Sequence, residues 1–72
     1  MRAIKTIREH KGLTQVELAN LSGLSRNTII NFESGRRSPR VVDLEKISRV
    51  LGVKIKDFFI NPTQQIQEKK TA

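Results

Sequence analysis

Apolar residues recur along the chain at helical spacing, in blocks separated by glycines. Ala3, Ile4 and Ile7, with Leu13 beyond Gly12, predict an amphipathic helix over residues 2–11. Thr14 followed three residues later by Glu17 has the spacing of a capping box, in which each side chain satisfies the other residue's free backbone N–H. A second helix therefore starts there. Leu18 and Ala19, with either Leu21 or Ser22 one turn on, supply its inner face. Gly23 ends it, because glycine enters a left-handed conformation without steric cost. Leu24 is suited to plug the angle that follows, and Ser25 to accept the free N–H groups of a third helix running to about Ser34 and closed by Gly35. The small residues Ala19 and Gly23 are expected to give the second and third helices room to cross closely. Val41, Leu44, Ile47, Val50 and Leu51 predict a fourth helix over residues 41–51, with Asp43 and Glu45 early, where the helix dipole favours acids, and Gly52 after it. Val53, Ile55, Phe58 and Phe59 then predict a short fifth helix of about one to two turns that closes the core. The reading is an all-α domain over residues 1–60. A polar, flexible tail, residues 61–72, follows: Asn61-Pro62 discourages further helix, and Ile66 is its one large apolar residue.

Composition narrows what such a domain can do. A 72-residue chain buries only about 60% of the surface it exposes when unfolded, so the core is thin and association would help it. Fourteen Lys and Arg against seven Asp and Glu give a net charge of +7 and a pI near 10.6, which point to a polyanionic partner, nucleic acid first. There is no cysteine and one histidine, His10, so neither a disulfide scaffold nor a metal site is expected, and no cofactor. No apolar run approaches the roughly 18 residues that span a bilayer, and residues 1–12 hold no secretory hydrophobic block. A basic amphipathic N-terminal helix also suits a transit peptide, but Glu9 and the need for this helix over a small core argue against one. A cytoplasmic protein is expected. No nucleophile is paired with a base and no glycine loop cradles phosphate; His10 and Asp57 read as surface or capping residues. No enzyme is expected, nor a small-molecule ligand.

Chemistry concentrates on the third helix and the loop after it. At about 100° per residue, Ile29, Phe32 and Glu33 fall on one side and Arg26, Asn27, Ile30 and Asn31 on the other. Arginine pairs with guanine and asparagine with adenine in the major groove, so Arg26, Asn27 and Asn31 are the candidate base readers. Ile30 reads equally as a contact to a thymine methyl or sugar and as packing on a neighbour or partner. Ser25 and Thr28, near the helix start, are candidates for the DNA backbone, Thr28 also for a contact between helices. Gln15 stands at the first turn of the second helix, where free N–H groups favour phosphate. The loop SGRRSPR places Arg36, Arg37 and Arg40 beside the groove, where such residues set register and supply salt-dependent affinity. Lys69 and Lys70 add weak attraction.

The stretch LTQVELANLSGLSRNTIINFESGRRSP resembles the Cro/repressor type of helix-turn-helix, the lambda-repressor-like or XRE-type family of phage repressors, plasmid regulators and related small transcription factors. The likeness spans roughly residues 2–60 and rests on Gln15, Glu17-Leu18-Ala19, Gly23, Ser25, Ile29, Glu33 and Gly35 in coupled spacing. It implies a compact five-helix lambda-repressor-like domain. It also implies an ion pair between Arg8 and Glu33, the residue that the helical wheel turns inward, and a Gln15 that meets the DNA backbone and braces the recognition helix. An arginine of the loop sometimes enters the minor groove in such proteins; which of the three would do so here stays open. Leu21 and Ile30 depart from the polar residues usual at their places, and Arg40 stands near where a small cap is usual. Phe58, Phe59 or Ile60 would lie on a dimer surface. The implied function is a sequence-specific double-stranded DNA-binding regulator, a dimeric repressor whose recognition helices enter successive major grooves, about 34–36 Å apart, of a near-palindromic operator. The alternative is a protein-interaction module of the same fold, an antitoxin or coactivator-like adaptor, for which Leu21, Ile30 and Ile60 would be the contact set.

Overall fold

The computed structural model describes residues 1–59; the expected tail and Ile60 lie outside them. Four α-helices follow in order: α1 (Arg2–His10), α2 (Gln15–Ser22), α3 (Arg26–Ser34) and α4 (Val41–Leu51). The fifth element is a single 3-10 turn, Ile55–Phe58, instead of the α-helix expected there. The Asp57 carboxylate accepts from the Lys54 N–H at 2.9 Å, and the Asp57 N–H returns to the Lys54 carbonyl. With i→i+3 bonds and only four residues, the segment tightens into one turn that seats Phe58.

Local chemistry sets the helix ends. At α2 both halves of the capping box form: the Glu17 N–H donates to Thr14 Oγ1 at 3.1 Å and the Thr14 N–H to Glu17 Oε1 at 2.8 Å. These bonds hold the Glu17 carboxyl below the usual carboxylate range, the backbone bond most of all. The Thr28 N–H donates to Ser25 Oγ at 3.1 Å to start α3. Between the two, Gly23 has φ +75°, and the Leu24 N–H reaches back to the Ala19 carbonyl. A Cβ on Gly23 would meet nothing within 4 Å, so the backbone conformation requires glycine there, and close helix crossing, the expected reason, does not. At α4 the Arg40 N–H donates to Asp43 Oδ2 at 3.0 Å, the reach-back half of a capping box without a capping side chain at its head.

Every element contributes to one core: Ile4 from α1, Leu18 and Ala19 from α2, Ile29 and Phe32 from α3, Leu44, Ile47 and Leu51 from α4, and Phe58 from the 3-10 turn. Burying each large side chain stabilises the fold by about 1.5–3 kcal/mol, so α3 is held chiefly through Ile29 and Phe32. Of the two residues that could complete the inner face of α2, Ser22 does so. It is buried with its hydroxyl donating to the Ala19 carbonyl, while Leu21 is 64% exposed. The wheel gives the reason: Ser22 lies about 10° from the midpoint of Leu18 and Ala19, and Leu21 about 110°. Val41, at the first position of α4, is 66% exposed, and of the two phenylalanines only Phe58 is buried, leaving Phe59 58% exposed. Helical spacing identifies a face but not where along its length a helix meets its neighbours.

Candidate nucleic-acid interface

The α2–Gly23–α3 unit presents one helix outward on a rigid base. Ile29 and Phe32 bury the inner side of α3, which leaves Arg26 and Asn27 exposed and Thr28, Ile30 and Asn31 half-buried. The three candidate base readers are thus brought to one face of a single helix. Ser25 and Thr28 stand together at its start, their hydroxyls 2.8 Å apart.

Glu33 fixes the far half of α3. Arg8 Nε donates to Glu33 Oε2 at 2.7 Å and Nη2 to Oε1 at 3.1 Å, while Nη1 donates to the Leu13 carbonyl at 2.7 Å. Gln15 Nε2 donates to Glu33 Oε1 at 3.1 Å. The side chains of Arg8 and Glu33 are 8% and 4% exposed, so this planar pair is nearly desolvated. The hydrogen bond from Glu33 raises the Arg8 guanidinium pKa above its already high value, outweighing the opposing effect of burial, and Arg8 is charged at every relevant pH. One carboxylate therefore ties α3 to α1 and to the first turn of α2. Lys5, Gln15, Ile30, Glu33 and Ser34 line a shallow groove of about 150 Å³ beside this joint. Ile30, half-buried, is the apolar side chain in its lining.

The arginine loop is anchored at both ends, and its arginines differ. Arg36 is exposed. Arg37 turns back: its N–H donates to the Asn31 carbonyl at 3.2 Å, and its guanidinium carbon lies 5.6 Å from the centre of the Phe32 ring. Arg40 keeps its side chain 73% exposed, with Nε at 3.4 Å from Asp43 Oδ2. Burial pushes the Asp43 carboxyl up, but the Arg40 backbone N–H, the Arg40 side chain and the charges of Arg40 and Arg37 outweigh it and hold the group below the usual range. The loop-fixing role of Asp43 was not drawn from the sequence, although its three-residue spacing from Arg40 was a visible signal. The Leu13 carbonyl, which accepts from Arg8, had no side-chain signal at all.

Two short helices joined at a left-handed glycine, the second buttressed from behind and edged with Arg and Asn, make a helix-turn-helix reading unit. Residues 4–58 match the helix-turn-helix family. An uncharacterized helix-turn-helix transcriptional regulator of Methanothermobacter thermautotrophicus is 50% identical over 58 residues, 75% of this chain and 84% of that protein. The cryptic phage CTXphi transcriptional repressor RstR of Vibrio cholerae is 33% identical over 66 residues, 92% of this chain and 60% of the repressor. Among solved structures, the restriction-modification controller protein C.AhdI of Aeromonas hydrophila superimposes with a TM-score of 0.78 at 33% identity, covering 81% of this chain and 88% of the controller. The chain belongs to the helix-turn-helix family of DNA-binding transcriptional regulators. Among the described residues no helix is long and apolar enough to cross a membrane.

Proposed function

We propose that the protein is a sequence-specific repressor that binds a near-palindromic operator as a homodimer in the cytosol of a prokaryotic cell. The observation that carries this reading is the outer face of α3, where Arg26, Asn27 and Asn31 stand together on a helix that the Arg8–Gln15–Glu33 cluster prevents from rolling. Base edges would be read by these three, Arg26 at guanine and Asn27 or Asn31 at adenine. The DNA backbone would be met by Gln15, Ser25 and Thr28 on one side of the groove and by the arginine loop on the other. Gln15 would do both jobs, one N–H of its amide nitrogen on Glu33 and the other donating to a phosphate oxygen. Occupancy would then block polymerase, a steric effect that requires no catalysis. The name of RstR as a repressor and of C.AhdI as a controller supports regulation as the outcome.

Alanine at Arg26 or Asn27 tests the reading face. Each substitution is expected to cost about 1–3 kcal/mol on the preferred site and to relax preference at one base position, read by anisotropy titration against single-base variants. Unchanged affinity and preference in both variants would place the reading face elsewhere. Leu21, exposed on α2, and Ile30, lining the groove, are the features that would serve an adaptor; retained binding of a selected DNA site in a Leu21→Ser variant would set that reading aside.

A further inference from the structure

We infer that Arg37 is a positioning residue that latches the arginine loop to the base-reading helix, leaving Arg36 and Arg40 as the phosphate contacts of that loop. The inference rests on the DNA-binding reading above but divides labour within it.

Geometry separates the three arginines. Arg37 is tied through its backbone to the carbonyl of Asn31, a candidate base reader, and through its guanidinium to the face of Phe32, which is fully buried in the core. Both contacts fall on the last turns of α3, so moving Arg37 moves the end of that helix relative to the loop. A cation over an aromatic face is held by the ring quadrupole, and arginine, being planar, stacks there better than lysine. The positive charge of Arg37 also bears on Asp43, the buried carboxylate that fixes the Arg40 backbone. Arg37 thus sits between the anchor of α3 and the anchor of α4. Arg37 is exposed like the other two, so its backbone bond and its contact with the ring are what set it apart; Arg36 makes no hydrogen bond or ion pair among the described residues, and Arg40 pairs only with Asp43. A loop held at Asn31 and at Asp43 presents those two charges at fixed places relative to the base readers. Register between phosphate and base contacts is what such a latch would set.

Salt dependence distinguishes a latch from a phosphate contact. Each phosphate neutralised contributes about 0.9 to the slope of log K against log salt. With an operator from selection, Arg36→Ala and Arg40→Ala are each expected to flatten the slope by about 0.9 per subunit. Arg37→Ala is expected to leave the slope unchanged, to weaken operator binding by about two- to five-fold, and to narrow the ratio between the operator and a variant at the base read by Asn31. Arg37→Lys retains the charge but not the planar stack and should behave like Arg37→Ala. A free-protein measurement stands beside these: the residue 37 amide should be protected from hydrogen exchange in the parent and lose that protection in Arg37→Ala. A flattened slope in Arg37→Ala, full retention of binding and preference in Arg37→Lys, or an unprotected amide in the parent would overturn the latch. Failure of the parent to select any DNA would instead overturn the DNA-binding reading, and the exchange measurement would still decide whether Arg37 latches the loop.

Discussion

Three donors converge on the Glu33 carboxylate, two from Arg8 and one from Gln15, and almost no water reaches the pair. Replacing such a pair as a whole by apolar groups is often neutral, whereas removing one partner leaves an uncompensated charge in a dry site. Glu33→Ala is therefore expected to destabilise the domain by about 3–5 kcal/mol in urea unfolding. That is a large fraction of what a domain this small commonly has. Adding Arg8→Met to Glu33→Ala should recover part of the loss, since the second substitution removes the stranded guanidinium. A double variant less stable than the single one would show that Arg8 contributes chiefly through the Leu13 carbonyl and not through Glu33. At the same scale, Arg26 and Asn27 are exposed and carry no comparable structural load, so their alanine variants should alter DNA preference with little change in stability.

The turn between α2 and α3 is the element on which the reading unit depends, and its requirement is a positive φ at Gly23 in open space. Gly23→Ala should cost about 1–2 kcal/mol through backbone strain alone, and Gly23→Asn less, because asparagine tolerates the left-handed region; thermal unfolding of the two variants checks the order. If alanine and asparagine cost the same, the strain argument is wrong. The start of α4 supplies a pH effect. Asp43 has a folded-state pKa below its unfolded one, so its contribution is fully present above the unfolded carboxylate range, about pH 4, and is lost as the pH falls through the depressed folded value. Asp43→Asn should flatten the loss of stability on acidification in urea unfolding run at a series of pH values. Helix bounds were legible in the sequence because caps such as Thr14 and Ser25 and stops such as Gly23 and Gly35 act within three or four residues. The inward turn of Glu33 was legible from periodicity, and its pairing with Arg8 from resemblance. What could not be read is non-local: the exposure of Val41 and Phe59 depends on where neighbouring helices end, and the folding back of Arg37 depends on where the loop lands on Phe32. The short 3-10 turn in place of a fifth helix has a similar origin, since four residues between Lys54 and Phe59 seat Phe58 before an α-helix can propagate.

For the molecule as a whole, the net charge of +7 and the rigid outer face of α3 divide the work of binding. In the proposed reading, charge would supply salt-dependent affinity for any duplex, and the α3 face would supply the choice among sequences. A dimer would read more bases than one copy, and Phe59, 58% exposed beside the last core residue, is the side chain we propose would meet the second copy. Phe59→Asp is accordingly expected to lower the cooperativity of operator binding while leaving the unfolding midpoint nearly unchanged; an unchanged binding curve would place the dimer contact elsewhere. The central claim, that this surface reads a symmetric DNA sequence, is tested most directly by selection from random duplex DNA at physiological salt, followed by sequencing of the retained fraction. The account predicts enrichment of a two-fold symmetric motif with half-sites about 34–36 Å apart, one helical turn. Retention without a motif, or no retention, would contradict it.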